Sequence, residues 1–204
     1  MQRDNLSTTT DAFLEETFQQ WTAGKGTVQA RISIYEKVRD IPYAVLPELI
    51  NNERFADILT LGRGSCTPKH FLLCNMFQRL GLMVLFAVYP FHWGERAEIM
   101  VGSLEPLRRM TEALPMSHHL ACRVDIDGRL VLVDATLDPL LGKADLVINH
   151  EWDGFSDTLL PMTPCGEEQL YHPSEAHLME AHSGQQWLEF YAELNTCLER
   201  VRQA

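Results

Sequence analysis

Apolar residues recur at helical spacing through the first third of the chain. Between Asp11 and Thr22, Phe13, Leu14, Phe18 and Trp21 fall on one face, and Gly24 and Gly26 end the pattern. A second stripe of Val28, Ile32, Tyr35 and Val38 predicts a helix stopping at Ile41, because Pro42 disfavours α geometry in the residue before it. A third amphipathic segment is expected around Leu46 to Leu59. In GRGSCTPKHFLLCNMFQRLGL, Gly62 and Gly64 make a flexible approach to a helix that begins at Cys66. Pro68 suits its first turn, Phe71, Leu72, Met76 and Leu80 keep helical spacing, and Gly81 closes it.

The run from Leu82 to Phe91 is continuously apolar and rich in Val, Phe and Tyr, which predicts a strand buried on both faces. Residues 92–117 read as a polar connection holding a short helix around Leu104 to Leu114. In HHLACRVDIDGRLVLVDAT two alternating runs flank Asp127-Gly128, a strong hairpin signal. A turn-rich stretch extends to about Pro173. The final helix is expected from Ser183, with Gln186 at capping-box spacing and a stripe of Trp187, Phe190, Tyr191, Leu194, Leu198 and Val201. This order of elements implies an α+β fold.

No repeat, low-complexity tract or linker interrupts the chain, so residues 1–150 are expected to form one catalytic domain and residues 151–204 an extension whose helix packs on it. At 204 residues such a domain can bury a core without cross-links. With 17 Lys+Arg against 28 Asp+Glu, the net charge of −11 opposes nucleic acid and anionic membranes as partners. No stretch approaches the roughly 18 apolar residues of a membrane span. The polar start MQRDNLSTTTD does not resemble a signal peptide, so a cytoplasmic location is expected. The five cysteines, Cys66, Cys74, Cys122, Cys165 and Cys197, are odd in number and contain no CxxC, which argues against a disulfide framework or a zinc knuckle.

Free thiols make a nucleophile available, and position selects among them. Amides left unpaired at a helix N-terminus favour thiolate over thiol, and Cys66 alone occupies such a place. Cys74 and Cys122 fall among apolar neighbours and read as small buried hydrophobes, while Cys165 and Cys197 lack a nearby base. Thiol catalysis adds a histidine and a group that fixes its tautomer. With a two-residue turn at Asp127-Gly128, Ile126 pairs with Arg129, Val124 with Val131, Cys122 with Val133 and Ala121 with Asp134. His119 is then the diagonal neighbour of Asp134 on the same face, a backbone gap of about 7 to 8 Å that the two side chains can close. His118 points the other way.

A Gly-x-Cys opening a helix that ends in Leu-Gly, an apolar strand, and a His fifteen residues before an Asp across a strand-Asp-Gly-strand hairpin together resemble the transglutaminase-like branch of the papain-like cysteine enzymes. IYEKVRDIPYA, from Ile34 to Ala44, resembles the helix and Tyr-containing turn before the family's cysteine. The similarity spans roughly residues 28–140. It implies a central helix, with the catalytic Cys at its N-terminus, packed on an antiparallel sheet. It also implies Cys66 as nucleophile, His119 as general base and acid, and Asp134 as orienting carboxylate. Ser65 and Thr67 flank the cysteine where the family often has an aromatic residue, Ala121 stands in place of a Trp, and Ala135-Thr136 replaces Pro-Thr.

The implied chemistry is acyl transfer through a thioester, without metal or redox cofactor, from a small-molecule or peptide acyl substrate to water or an amine. Amidase, peptidase and amide-forming activities share that intermediate. The Cys66 amide is a natural oxyanion donor, with a second expected from the Thr60 to Ser65 loop or elsewhere. A catalytically silent binding module for a peptide or small molecule is the alternative. His70, one turn after Cys66, reads as a secondary polar contact because it lacks the Asp134 orienter. His172, His177 and His182, five apart, diverge by roughly 140° on a regular helix and read as surface residues rather than metal ligands. His92, Trp93 and Trp152 are candidates for a cleft rim or for core. The last aromatic stripe packs on the domain or forms a homodimer surface.

Overall fold

A computed structural model of the chain describes residues 2–49, 52–94, 105–144, 146–178 and 184–204. Helix α1 (Gln2–Thr22) starts well before the apolar stripe and turns Leu14 and Thr17 inward, leaving Phe13 exposed despite its spacing. Helix α2 (Thr27–Arg39) buries Ala30, Ile34, Tyr35 and Val38 and ends two residues short of Ile41, where the Asp40 N–H closes on the Glu36 carbonyl. The segment expected as one amphipathic helix after Leu46 is instead a series of tight turns. Pro47–Leu49 and Asn52–Asp57 are 3-10 turns, the latter kinked at Arg54, and a single α turn follows, α3 (Ile58–Leu61).

Helix α4 (Cys66–Arg79) fully buries Leu72, Leu73, Met76 and Phe77. Each such side chain contributes roughly 1.5–3 kcal/mol of burial, so together they fix the roll of α4 about its axis and the direction in which Cys66 faces. Strands β1 (Val84–Phe91), β2 (Ser117–Ile126), β3 (Arg129–Val133) and β4 (Gln169–Tyr171) form an antiparallel sheet of order β3-β2-β1-β4. β1 is interior, as its unbroken apolar run predicts. β4 lies in the stretch read as turn-rich.

The β2–β3 register is the one the two-residue turn predicts: Ile126 faces Arg129, Val124 faces Val131 and Cys122 faces Val133. Asp127 and Gly128 adopt φ of 54° and 81°, the mirror-image turn that matches strand twist, and the Asp125 carboxylate accepts the Gly128 N–H at 2.8 Å. Helix α5 (Glu105–Glu112) occupies the polar connection, and its expected first residue, Leu104, lies outside the described residues.

One core gathers Phe86, Val88, Leu120, Cys122 and Val124 with α2 and α4, and a second gathers Ala87, Tyr89, Phe91 and Ala121 with helix α6 (Gln185–Gln203). The expected start of α6, Ser183, lies outside the described residues, and Gln186 donates to the Ala113 carbonyl rather than capping the helix. Trp187, Phe190, Leu194 and Leu198 are buried against the chain itself. Two polar clamps secure this helix. The Asn195 amide accepts the Val45 N–H and donates to the Val45 carbonyl, at 2.9 and 2.8 Å. Arg202 forms a buried pair with Asp138 at 2.6 Å and donates to the Tyr43 carbonyl at 2.8 Å.

Candidate active site

Segment 43–45 runs beside the loop that leads into α4. Tyr43 and Gly64 form a parallel bridge, the Gly64 N–H reaches the Pro42 carbonyl at 3.0 Å, and the Ala44 N–H reaches the Gly64 carbonyl at 3.2 Å. A methyl group on Gly64 would lie 2.6 Å from Ile58 Cγ2, so this approach admits only glycine unless α3 moves. Two residues later Cys66 opens α4. Ser65, in extended conformation, makes no side-chain cap, and the first turn holds no acidic residue. The positive end of the helix therefore acts on Cys66 without a competing carboxylate.

The β2–β3 ladder ends at Cys122–Val133, and Asp134 follows at once. His119 Nε2 and Asp134 Oδ2 lie 2.5 Å apart with both side chains 1% exposed. The other Asp134 oxygen accepts the Thr136 N–H at 2.9 Å, and the Asp134 N–H is held by Thr158 Oγ1 at 2.7 Å. His119 lies close enough to Cys66 for its charge to act on the thiol. With Nε2 committed to the carboxylate, Nδ1 is the ring nitrogen left for exchange with the thiol.

Burial pushes the Cys66 thiol up, but the hydrogen bond and positive charge of His119, with the Leu120 backbone N–H, outweigh it, and the thiol lies below its ordinary 9.0. Burial likewise depresses His119, yet the Asp134 charge and hydrogen bonds to Asp134 and Cys66 lift it to about 9. Burial raises Asp134, and the charge and hydrogen bond of His119 hold it down to about 2. The three shifts run toward thiolate, imidazolium and carboxylate, which sets a nucleophile beside its proton donor. Cys66 as a whole residue is only partly buried.

Several side chains around this site carry no signal in an apolar pattern. His70 is fully buried, with Nδ1 2.8 Å from the Cys66 carbonyl and Nε2 accepting the Ala135 N–H at 3.0 Å. Lys69 is also fully buried and donates to the carbonyls of Arg39, Ile41 and Thr136 at 3.0, 2.8 and 2.7 Å. The Tyr35 hydroxyl donates to the carbonyls of Asn149 and Asp134 at 3.1 and 3.4 Å. Tyr191 of α6 lies within the electrostatic reach of Cys66, and burial with that negative charge pushes its phenol up. Leu120 contributes through its backbone, which no side-chain pattern registers.

Compared with protein-family models, curated proteins and solved structures, the chain has no match.

Other sequence candidates lie apart from this centre. Cys74, Cys122 and Cys197 are buried, and Cys165 is exposed in a turn. His118 is exposed. Trp152 packs on Tyr35 and Phe77, and Trp93 on Phe91 and Phe190, so both indoles are core rather than rim, while His92 is exposed. His172 is paired with Ser174 Oγ at 2.7 Å; the side chains of His177 and His182 lie outside the described residues. Among the described residues no group of three or more His, Cys, Asp or Glu is placed to hold a metal ion, and no helix is long and apolar enough to cross a membrane.

Proposed function

We propose that this chain is a cysteine-nucleophile acyl-transfer enzyme with a transglutaminase-like core. One observation carries the reading: buried His119 pairs with the buried carboxylate of Asp134 at 2.5 Å beside Cys66, and its charge pulls the thiol down. The order of α4, β1 and the β2–β3 hairpin supports the family, because each member of the triad comes from the element the resemblance implies. Cys66 thiolate attacks the carbonyl carbon of an amide or other acyl substrate, and the carbonyl electron pair moves to oxygen. Collapse of that adduct expels the leaving group, which takes the His119 proton, and leaves a thioester on Cys66. Water or an amine then gives a proton to His119 as it displaces the thiolate. The Cys66 N–H, at the positive end of α4, is placed to receive the developing oxyanion. No step requires a cofactor.

The silent-module alternative calls for a histidine turned away or a sealed sulfur. The His119 charge acts on the thiol, so a histidine turned away is not what the site holds. Peptide-mapped alkylation with iodoacetamide at pH 6 tests the proposal. Cys66 is expected to react at least about tenfold faster than Cys165, and to lose that advantage in His119→Ala. Equal rates at the two cysteines would sink the assignment. Intact-mass detection of an acyl adduct after exposure to a peptide and metabolite library, absent in Cys66→Ala, identifies the substrate class.

A further inference from the structure

His70 takes no part in the transfer steps, yet it is a fully buried polar side chain on a helix face that otherwise packs Leu72, Leu73, Met76 and Phe77. Its two bonds leave no freedom of tautomer. Nε2 accepts the Ala135 N–H at 3.0 Å and so carries no proton, which leaves Nδ1–H to donate to the Cys66 carbonyl at 2.8 Å. Ala135 N belongs to the peptide bond that follows Asp134. Three hydrogen bonds thus form a chain from Cys66 to His119, namely Cys66 carbonyl to His70, His70 to the Asp134–Ala135 peptide, and Asp134 to His119, and the His119 charge acts back on the Cys66 thiol to close it into a ring. Every other link in that ring is an interaction between members of the triad.

We propose that His70 is the positioning residue of this site, a rigid spacer that sets the distance between the main chain of the nucleophile and the strand end that presents Asp134. A hydrophobic α4–sheet contact holds the two elements together but tolerates sliding by fractions of an ångström, whereas a planar ring bonded at both nitrogens does not. The ionisable groups facing His70 are Asp134, which favours its charged form, and His119 and Lys69, which oppose it; burial dominates and pulls His70 down to about 4. It therefore stays neutral through pH 5 to 8 and keeps its acceptor nitrogen.

The inference rests on Cys66 being activated, and the pH profile of Cys66 alkylation by iodoacetamide separates the two. His70→Phe fills the space and removes both hydrogen bonds. In this variant, with its fold verified by circular dichroism, the alkylation inflection is expected to move up by one pH unit or more, lowering the rate at pH 6 by about tenfold or more. In His70→Gln the amide can donate and accept in the same directions, and an intermediate profile is expected. Wild-type protein that shows no preference for Cys66 removes the functional reading; activated wild-type protein with an unchanged profile in His70→Phe removes this inference alone. Nitrogen NMR of His70 in the wild-type chain supplies a check that needs no variant. An Nδ1–H resonance that persists from pH 5 to 8 is expected, and a ring that titrates within that range overturns the proposal.

Discussion

At Asp134 one carboxylate oxygen accepts the Thr136 N–H at 2.9 Å while the other faces His119 Nε2 at 2.5 Å, so the carboxylate determines which ring nitrogen carries a proton. Asp134→Asn preserves the shape and inverts this logic. The Asn oxygen is expected to keep the Thr136 bond, which turns the amide NH2 toward His119 and forces Nε2 to accept. Nδ1 then holds the proton and cannot take one from Cys66. Loss of the negative charge also removes the main force that lifts His119 to about 9. The expected outcome is a Cys66 alkylation rate at pH 6 at least about tenfold below wild type with little change in thermal midpoint, measured on the same preparation. A rate within twofold of wild type would contradict the orienting role. Neighbouring Lys69 illustrates the opposite kind of residue: its three carbonyl partners lie 28 to 67 positions away, and they join α4 to the loops at Arg39, Ile41 and Thr136 without reaching the thiol.

Where an element obeys local rules, the sequence alone was enough to place it. Asp127-Gly128 demands a mirror-image turn, that turn sets the register of five residues on each side, and the register brings His119 and Asp134 together. The start of α4 was equally readable from Gly64, Pro68 and the apolar spacing. The structure adds why the glycine stands there. Gly64→Ala sets a methyl group against fully buried Ile58 at 2.6 Å, and α3 or the loop must shift. A loss of roughly 1–3 kcal/mol is expected from urea unfolding, together with slower Cys66 alkylation because the displaced loop carries the first turn of α4. An unchanged unfolding midpoint would show that Ile58 repacks freely. Elements held by distant partners were not readable. β4 has three residues and acquires strand geometry by pairing with β1, and the region after Leu46 breaks into turns at Pro47 and Arg54 despite its amphipathic spacing. His70 and Lys69 interrupt an apolar face, and their partners are backbone atoms that leave no mark in side-chain pattern.

Across the whole molecule, acid stability reports on the same buried histidine. His70 has a pKa of about 4 in the fold against an ordinary 6.5, so the unfolded chain binds the extra proton between those values. Its contribution is present above pH 6.5 and lost as pH falls toward 4; the difference of 2.5 units corresponds to roughly 3 kcal/mol. In the fold His119, at about 9, is protonated and Asp134, at about 2, is ionised throughout this window; in the unfolded chain they titrate at its two ends, and the comparison with His70→Phe separates their contributions from that of His70. Urea midpoints are expected to fall from pH 6.5 to 4 in wild type and to fall less steeply in His70→Phe; parallel slopes would refute the assignment. α6 joins the centre from the other side, since Asn195 holds Val45, Ala44 holds Gly64, and Gly64 leads to Cys66. The hairpin turn has a different standing. The fifteen-residue interval between His119 and Asp134 is closed at its far end by Asp127-Gly128, away from the triad. Evolution can therefore lengthen that turn by symmetric insertion without moving either side chain. Relatives of this chain are to be sought by a histidine on one strand and an aspartate just past its partner, whatever number of residues separates them.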